Sequence, residues 1–371
     1  MIFSKHIPCS AILASLLLTT AFHTDADART MTKKTASAKI RKISMAQVEA
    51  GEFANFTHWK EVSEFIDQMT LRYGFDRAEL ESLFKQARYV DTTIRLIKPA
   101  PPGRPKNWQA YRARFVEPLR INAGVAFWDA YADTLARAEE RYGIPAEIIV
   151  GIIGVETIYG RNTGNFRTLD VLTTLAFDYP PAPNRTARME FFRRELENTL
   201  LIARETAIDP FGLLGSYAGA IGLPQFMPGS IRRYGVDFDE DGKVDLRNSP
   251  VDAIGSVANF LLEHGWQSGA PFAFPVTVSN SEATPEWERF IGQGLEAKFT
   301  LDELRAAGVT PTTELPHDLR FGLVDLQNGG EPTEYWLGTA NFFAITKYNR
   351  SFFYAMSVID LGRAVRVARG R

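Results

Sequence analysis

The run Gly151-Ile152-Ile153-Gly154-Val155-Glu156-Thr157-Ile158-Tyr159-Gly160 constrains this chain more than any other stretch, because it sets one carboxylate in an otherwise apolar helical segment. At roughly 100° per residue, Ile149, Ile152, Ile153 and Tyr159 fall on or beside the stripe that carries Glu156, so the acid faces an interior. Burial disfavours the ionised form. That predicts a raised pKa and a proton retained near neutral pH, the state a general acid needs. A structural Glu hydrogen-bonded to a neighbour would give the same pattern, and the helix alone does not separate the two readings. Gly151 and Gly154 weaken a helix by about 1 kcal/mol each relative to Ala, so they predict another backbone packed close by. Glu147 follows Pro145 at the start of the helix, where a first-turn acid complements the dipole, and is read as structural.

A chain of 371 residues, 45% hydrophobic and 23% charged, is long enough for two or three substructures around a sizeable core. Its start reads as a secretory signal over residues 1–28: Lys5, an apolar core from Ala11 to Leu18, and the small-x-small site Ala26-Asp27-Ala28. Removal of that segment takes one base and two acids with it, so the net charge moves from −2 to −1, and electrostatic attraction to nucleic acid is not expected. No later apolar run approaches the roughly 20 residues of a membrane helix. Cys9, the only cysteine, precedes the apolar core and is misplaced for lipid attachment. The exported chain then has neither disulfides nor thiolate ligands, and must rely on its core.

Along the chain, residues 29–50 read as a flexible tether and 51–135 as an N-terminal helical portion. Trp59, Val62, Phe65, Ile66 and Met69 keep helical spacing, Gly74 stops the run, and Asp76 caps a second helix through Leu80, Leu83 and Phe84. Lys98 to Trp108, with four prolines, is expected to be extended, and Tyr111 to Arg141 helical again. Residues 136–269 hold the Glu156 helix, Leu169 to Phe177, and a long helix from about Thr186 to Ile208. Arg185, Arg188, Arg193 and Arg194 crowd the start of that helix. Such a cluster suits a solvated face, or one arginine turned toward a ligand carboxylate. Residues 270–338 read as a small β-containing subdomain with a short helix at Leu301 to Ala307, and 339–371 as a C-terminal helical segment completing the cleft.

Two motifs stand out in the middle region. Leu213 to Ser230 is dense in small residues; Ser216 and Gln225 offer hydrogen bonds and Phe226 an apolar face, as a cleft wall would, although a tightly packed loop and helix would look the same. Leu214 excludes a G-x-S-x-G elbow. Asp237-Phe238-Asp239-Glu240-Asp241-Gly242-Lys243-Val244-Asp245 places carboxylates at positions 1, 3, 5 and 9 with Gly242 at position 6, the spacing of an EF-hand calcium loop. Asn248 replaces the usual last Glu, so Asp252 is the candidate final carboxylate. The expected ligand set is Asp237, Asp239, Asp241, Lys243 and Asp252, holding a structural calcium ion with no part in the chemistry.

These segments together, VGIIGVET, GSYAGAIGLPQFMPGS, DFDEDG with PVDAIGSVANF, and NFFAITKYN, resemble the lytic murein transglycosylase B family, glycoside hydrolase family 103, from about Phe56 to the C-terminus in the same order. The resemblance implies an α+β, mainly α fold: a goose-lysozyme-like helical core carrying an extra N-terminal helical portion, an EF-hand-like loop and the small β subdomain. It implies cleavage of the β-1,4 bond between N-acetylmuramic acid and N-acetylglucosamine in peptidoglycan, with Glu156 as acid/base and no cofactor for the chemistry. It would make Tyr111, Ser216, Gln225, Phe226 and Tyr348 saccharide contacts, line the groove with Met227 and Phe343, and set Arg188 near the stem peptide. Pro224 and Phe343 depart from the family's usual glycine and tyrosine, and the lipid-attachment cysteine of the membrane-bound form is missing.

A hydrolysing glycosidase pairs its acid with a second carboxylate, and none shares the Glu156 stripe. If the sugar's own 6-hydroxyl attacks, one acid suffices and the product is a 1,6-anhydro sugar. Three alternatives remain at this level. Asp170 or Asp178 brought in by tertiary folding would give a lysozyme-type hydrolase. A non-catalytic calcium-dependent wall-binding protein would share the composition. A metallohydrolase is disfavoured, because His58, His264 and His317 are too scattered. The expected setting is the periplasm, with glycan strands and cell-wall synthetic enzymes as partners, no membrane span, and a monomeric chain.

Overall fold

The turn at Gly74 shows how locally the first elements are written. Helix α1 (Lys60–Tyr73) ends at Gly74 in the left-handed region, and helix α2 (Arg77–Gln86) begins where Asp76 accepts a hydrogen bond from the Glu79 amide. Val62, Phe65, Ile66, Met69 and Phe84 are buried, with Phe65 and Phe84 edge to face. The computed structural model describes residues 56, 58–98, 103, 105–279 and 285–370. The expected signal segment 1–28, Cys9 and the tether 29–50 lie outside them. The chain forms two compact units that meet in sequence between Tyr89 and Val90.

The second unit begins with helix α3 (Asp91–Leu96), and most of the expected extended connection from Lys98 lies outside the described residues. The helical stretch expected over Tyr111 to Arg141 is three helices, α4 (Trp108–Arg112), α5 (Pro118–Ala130) and α6 (Ala132–Tyr142). Glu117 caps α5 and Pro118 fixes its first turn, while Tyr131 breaks from helical backbone between α5 and α6. Trp108, Phe127, Leu135 and Ala138 share one core with Ile149 and Ile152, so these helices pack as part of the central body.

Helix α7 (Ala146–Thr157) carries Glu156, and Ile148, Ile149, Ile152 and Ile153 are fully buried. At about 1.5–3 kcal/mol per buried aliphatic side chain, this helix is a main source of cohesion. Strand β1 (Phe166–Arg167), helices α8 (Thr168–Phe177) and α9 (Arg185–Thr206), strand β2 (Leu214–Gly215) and helices α10 (Pro228–Tyr234) and α11 (Pro250–Glu263) follow. Strands β3 (Ala273–Val278), β4 (Val309–Pro311), β5 (Gly322–Asn328) and β6 (Glu331–Gly338), with helix α12 (Leu301–Ala306), make the β subdomain. Its sheet is antiparallel in the order β4-β3-β6-β5. Alternation along the strands serves two cores: Val324 and Leu326 join the central one, while Leu323 and Leu337 cover a smaller one with Trp287 and Leu304.

Helices α13 (Ala340–Tyr348) and α14 (Phe352–Ala368) end the chain, and α14 lies along α7. The expected close backbone is present at Gly151 but not at Gly154, where a Cβ would meet the Tyr159 and Leu361 side chains instead. A Cβ on Gly151 would strike the Val358 carbonyl, and one on Gly362 would strike that of Glu147. Among the described residues no helix is long and apolar enough to cross a membrane.

Candidate active site

Glu156 sits one residue from the end of α7, and the chain leaves that helix abruptly. Ile158 and Tyr159 both take left-handed backbone conformations, φ 53° and 56°, so Tyr159 is not on the helical stripe as expected. Its hydroxyl lies against Gly124 and Gly154. Thr157 locks the exit, donating to the Leu223 carbonyl at 2.8 Å and accepting from the Gly160 amide at 3.0 Å. The Arg120 guanidinium donates to the Gly154 carbonyl at 2.9 Å, placing a cation at the helix C-terminus.

The Glu156 side chain is half-buried, and burial pushes its carboxyl up to about 7. The opposing influence is one hydrogen bond: the Tyr354 hydroxyl donates to Oε1 at 2.7 Å, which favours the ionised form. Tyr354 stacks on Tyr348, whose hydroxyl donates to the Pro224 carbonyl. Burial followed by the nearby Glu156 charge raises both tyrosines well above their usual range, and pushes Tyr111 up to about 12. Three phenols thus surround one carboxyl. No other carboxylate is among the groups that shift Glu156.

Each wall has a visible support. Tyr111 on α4 packs against Phe115 and against Phe353 at the start of α14. Ser216 and Gln225 lie half-buried on the 213–230 wall. Ser216 Oγ accepts from the Ala220 amide, and the Gln225 amide donates to the Thr163 and Gly222 carbonyls, leaving its own carbonyl oxygen for a ligand. Gln225 takes φ 50°, a conformation held by the backbone pairing of Ile221 with Phe226. Phe226, Met227, Phe343 and Tyr348 are only 2%, 6%, 3% and 4% exposed, so they stand behind the surface rather than on it. Phe226 supports Tyr348. Phe343 packs among Phe342, Phe352 and the glycines of β5 and β6, and offers little surface to a sugar. Arg188 lies beside Tyr179 on α9 and half-buried.

The two acids weighed as partners for Glu156 are engaged with arginines, Asp170 with Arg167 at 2.8 Å and Asp178 with Arg185 at 3.4 Å. Glu147 pairs with Arg366 at 3.2 Å, a structural role as expected. Tyr354 was not singled out from sequence. Its signal was one aromatic in SFFYAM, indistinguishable there from core.

In the acidic loop, carboxylate oxygens of Asp237, Asp239 and Asp252 lie within 4.8 Å of one another. Gly242, φ 94°, makes the sharp turn, and Asp237 accepts from the Asp241 and Gly242 amides. Asp252, 1% exposed in the first turn of α11, accepts from the Phe238 and Asp245 amides. Asp241 is not part of the converging trio; its carboxylate is turned to Lys243, with the Lys243 ammonium 3.5 Å away. All-oxygen donors converging from a tight loop and a helix start fit a hard divalent cation. The loop also touches the site's support: Leu223, which holds Thr157, donates its amide to the Leu246 carbonyl at 2.8 Å.

Known proteins are similar to this chain over most of its length. A family model described as a transglycosylase SLT domain matches residues 57–363. Membrane-bound lytic murein transglycosylase B of Escherichia coli (strain K12) is 43% identical over 327 residues, 86% of this chain and 85% of that protein. The crystal structure of the soluble lytic transglycosylase SltB1 from Pseudomonas aeruginosa matches with a TM-score of 0.76 and 44% identity, covering 84% of this chain and 100% of that one. The Escherichia coli lytic transglycosylase SLT35, solved in complex with calcium, matches with a TM-score of 0.75 and 42% identity, over 86% and 96% of the two chains. A lone half-buried acid ringed by phenols, on a mainly helical frame shared with these relatives over most of its length, is thus the centre of a protein that belongs to the transglycosylase SLT domain family.

Proposed function

We propose that the chain cleaves the β-1,4 bond between N-acetylmuramic acid and N-acetylglucosamine in peptidoglycan as a lytic transglycosylase. The observation that carries this is the solitary Glu156, pushed up to about 7 by burial, with a tyrosine hydroxyl as its hydrogen-bond partner. Glu156 gives its proton to the glycosidic oxygen as the C1–O bond breaks. The 6-hydroxyl of the same muramic acid residue bonds to C1, and its proton passes to the Glu156 carboxylate. Acid and base are one group in two steps, and no water is consumed. The substrate's N-acetyl oxygen offsets positive charge at C1. Tyr111, Ser216 and Gln225 supply hydroxyl and amide contacts, with Phe226, Met227, Phe343 and Tyr348 holding the wall from behind and Arg188 reaching toward the stem peptide.

Muropeptides released from purified cell walls test this by mass spectrometry. Wild type yields 1,6-anhydro ends and Glu156→Gln yields none; reducing N-acetylmuramic acid ends would overturn the transglycosylase reading in favour of hydrolysis.

The relative solved with calcium supports the same ion here, held by Asp237, Asp239 and Asp252 with Asp241 and the Lys243 position beside them. It would brace the loop against α11 and, through Leu246 and Leu223, the exit of the Glu156 helix. Chelation should lower the melting temperature, and calcium at 100 times its Kd should restore about 2.7 kcal/mol. Residues 1–28 support export to the periplasm, and the working unit is one chain, since Tyr111, Glu156, Tyr348 and Tyr354 all come from it.

A further inference from the structure

The outer face of the β5–β6 hairpin changes character along its length. Leu323 and Leu337 are sealed in the subdomain core, whereas Asp325 and Tyr335, paired across the strands, open into a cavity of about 520 Å³. Trp287, Glu288, Lys106 and Gln327 line it with them. None of these groups acts on Glu156, and the mechanism above leaves the cavity unused.

We propose that this cavity is a second saccharide site, holding an amino-sugar unit of the same glycan away from the bond that Glu156 cleaves. The inference rests on the glycan reading of the preceding subsection. Its lining has the two things a sugar asks for, an aromatic face for C–H bonds and fixed polar groups for hydroxyls. The aromatic face is that of half-buried Tyr335, and it is held in place from behind: Trp287, only 6% exposed, meets it edge to face with centroids 5.1 Å apart and donates its indole N–H to the Ser279 carbonyl at 2.7 Å. Asp325 and Glu288 accept hydroxyls, while Lys106 and Gln327 donate. Charge argues against a cationic occupant, because the lining already holds the Lys106 ammonium and the Gln327 amide donates to Asp325 at 2.7 Å.

The cavity is tied to the catalytic groove by a short rigid path. The Lys106 carbonyl accepts from the Gly329 amide at 2.8 Å, Asn107 bridges to Asn328, and Gln109 bonds to Glu334. Tyr111, beside Glu156, lies five residues after Lys106, on α4. On this proposal one extended strand engages both places. A strand held twice has a higher effective concentration at the cut, so long strands gain over short ones.

The test uses the full chain as Glu156→Gln, isotopically labelled and titrated with a four-unit oligomer of N-acetylglucosamine while the Trp287 indole N–H resonance is followed. A saturable shift is expected, abolished by Tyr335→Ala and by the double change Glu288→Ala with Gln327→Ala at exposed positions. In the catalytically intact background, both variants should lower about tenfold the ratio of kcat/KM on long glycan strands to that on a tetrasaccharide. Absence of the shift at concentrations that saturate the Glu156 groove, or an unchanged ratio, overturns the proposal. A shift caused by a lysine-containing peptide and not by the sugar also overturns it, assigning the cavity to an ammonium group. Because the titration needs no turnover, loss of the transglycosylase reading would be seen separately, as wild-type chain that leaves cell walls intact.

Discussion

Two buried acids of this molecule have the same raised proton affinity and opposite surroundings. Glu156 and Glu195 are both pushed up to about 7, in each case by burial first. Glu195 on α9 is 8% exposed and accepts from the Gly229 amide at 2.7 Å, where it caps the turn that begins α10. Arg194 and Arg233 add cationic neighbours. Glu156 is half open, meets a phenol that can yield to a substrate, and lies among Tyr111 and Tyr348. A retained proton is therefore no mark of an acid catalyst by itself. What separates the two is access, and a partner that is a side-chain phenol in one case and a backbone amide in the other.

The largest expected effect breaks or keeps that distinction outright. Glu156→Gln should lower cell-wall cleavage by about 10³-fold, the scale of a lost general acid, whereas Glu195→Gln should leave the rate per folded molecule within about twofold. Equal losses in a turbidity assay would erase the contrast.

Stability should reveal what the acids share. An unfolded Glu releases its proton near 4.5, and these two hold theirs until about 7 in the folded chain, so stability present below 4.5 is lost as pH rises through 7. Glutamine does not titrate. Each variant should then gain up to about 3 kcal/mol at pH 8 and nothing at pH 4, less at the half-open Glu156 than at Glu195. Thermal melts at the two pH values measure it; a Glu195→Gln chain no steadier at pH 8 than wild type would contradict the burial argument.

Smaller is the effect of the backbone contact that holds the catalytic helix. Gly151→Ala should cost about 2 kcal/mol, because the added methyl meets the Val358 carbonyl and α14 must move away from α7. Denaturant titration reads this directly, and a neutral result would mean the two helices adjust freely. Smallest is Tyr354→Phe. Removing a donor to the carboxylate raises the Glu156 pKa further, so the limb on which activity falls with rising pH should move to higher pH. A limb that stays in place would mean Tyr354 does not govern the proton.

Local chemistry was legible in the sequence, and long-range pairing was not. The Gly74 stop and the Asp76 cap each depend on residues a turn away, and both appear where the residue types predict. Gly151 and Gly154 announced a close neighbour without naming it. Tyr354 lay hidden because its role exists only where α14 crosses α7. Ile158 defeated propensity outright: a β-branched residue at φ 53° is unfavourable locally and is held there by Thr157 and Leu223. The break at Tyr131 carries neither Gly nor Pro, and β4 is three residues ending in Pro311, too short for alternation to register. In the acidic loop, spacing located the sharp turn at Gly242; in the fold Asp237, Asp239 and Asp252 converge, and the Asp241 carboxylate lies beside Lys243.

The hydroxyl that Glu156 leans on is 198 residues further along the chain. The acid therefore precedes by far the helix that steadies it, and the groove is complete only when that helix has folded back along α7. A polypeptide interrupted anywhere in between carries the cutting residue without the setting that makes it useful, a built-in delay for an activity aimed at the wall enclosing the cell.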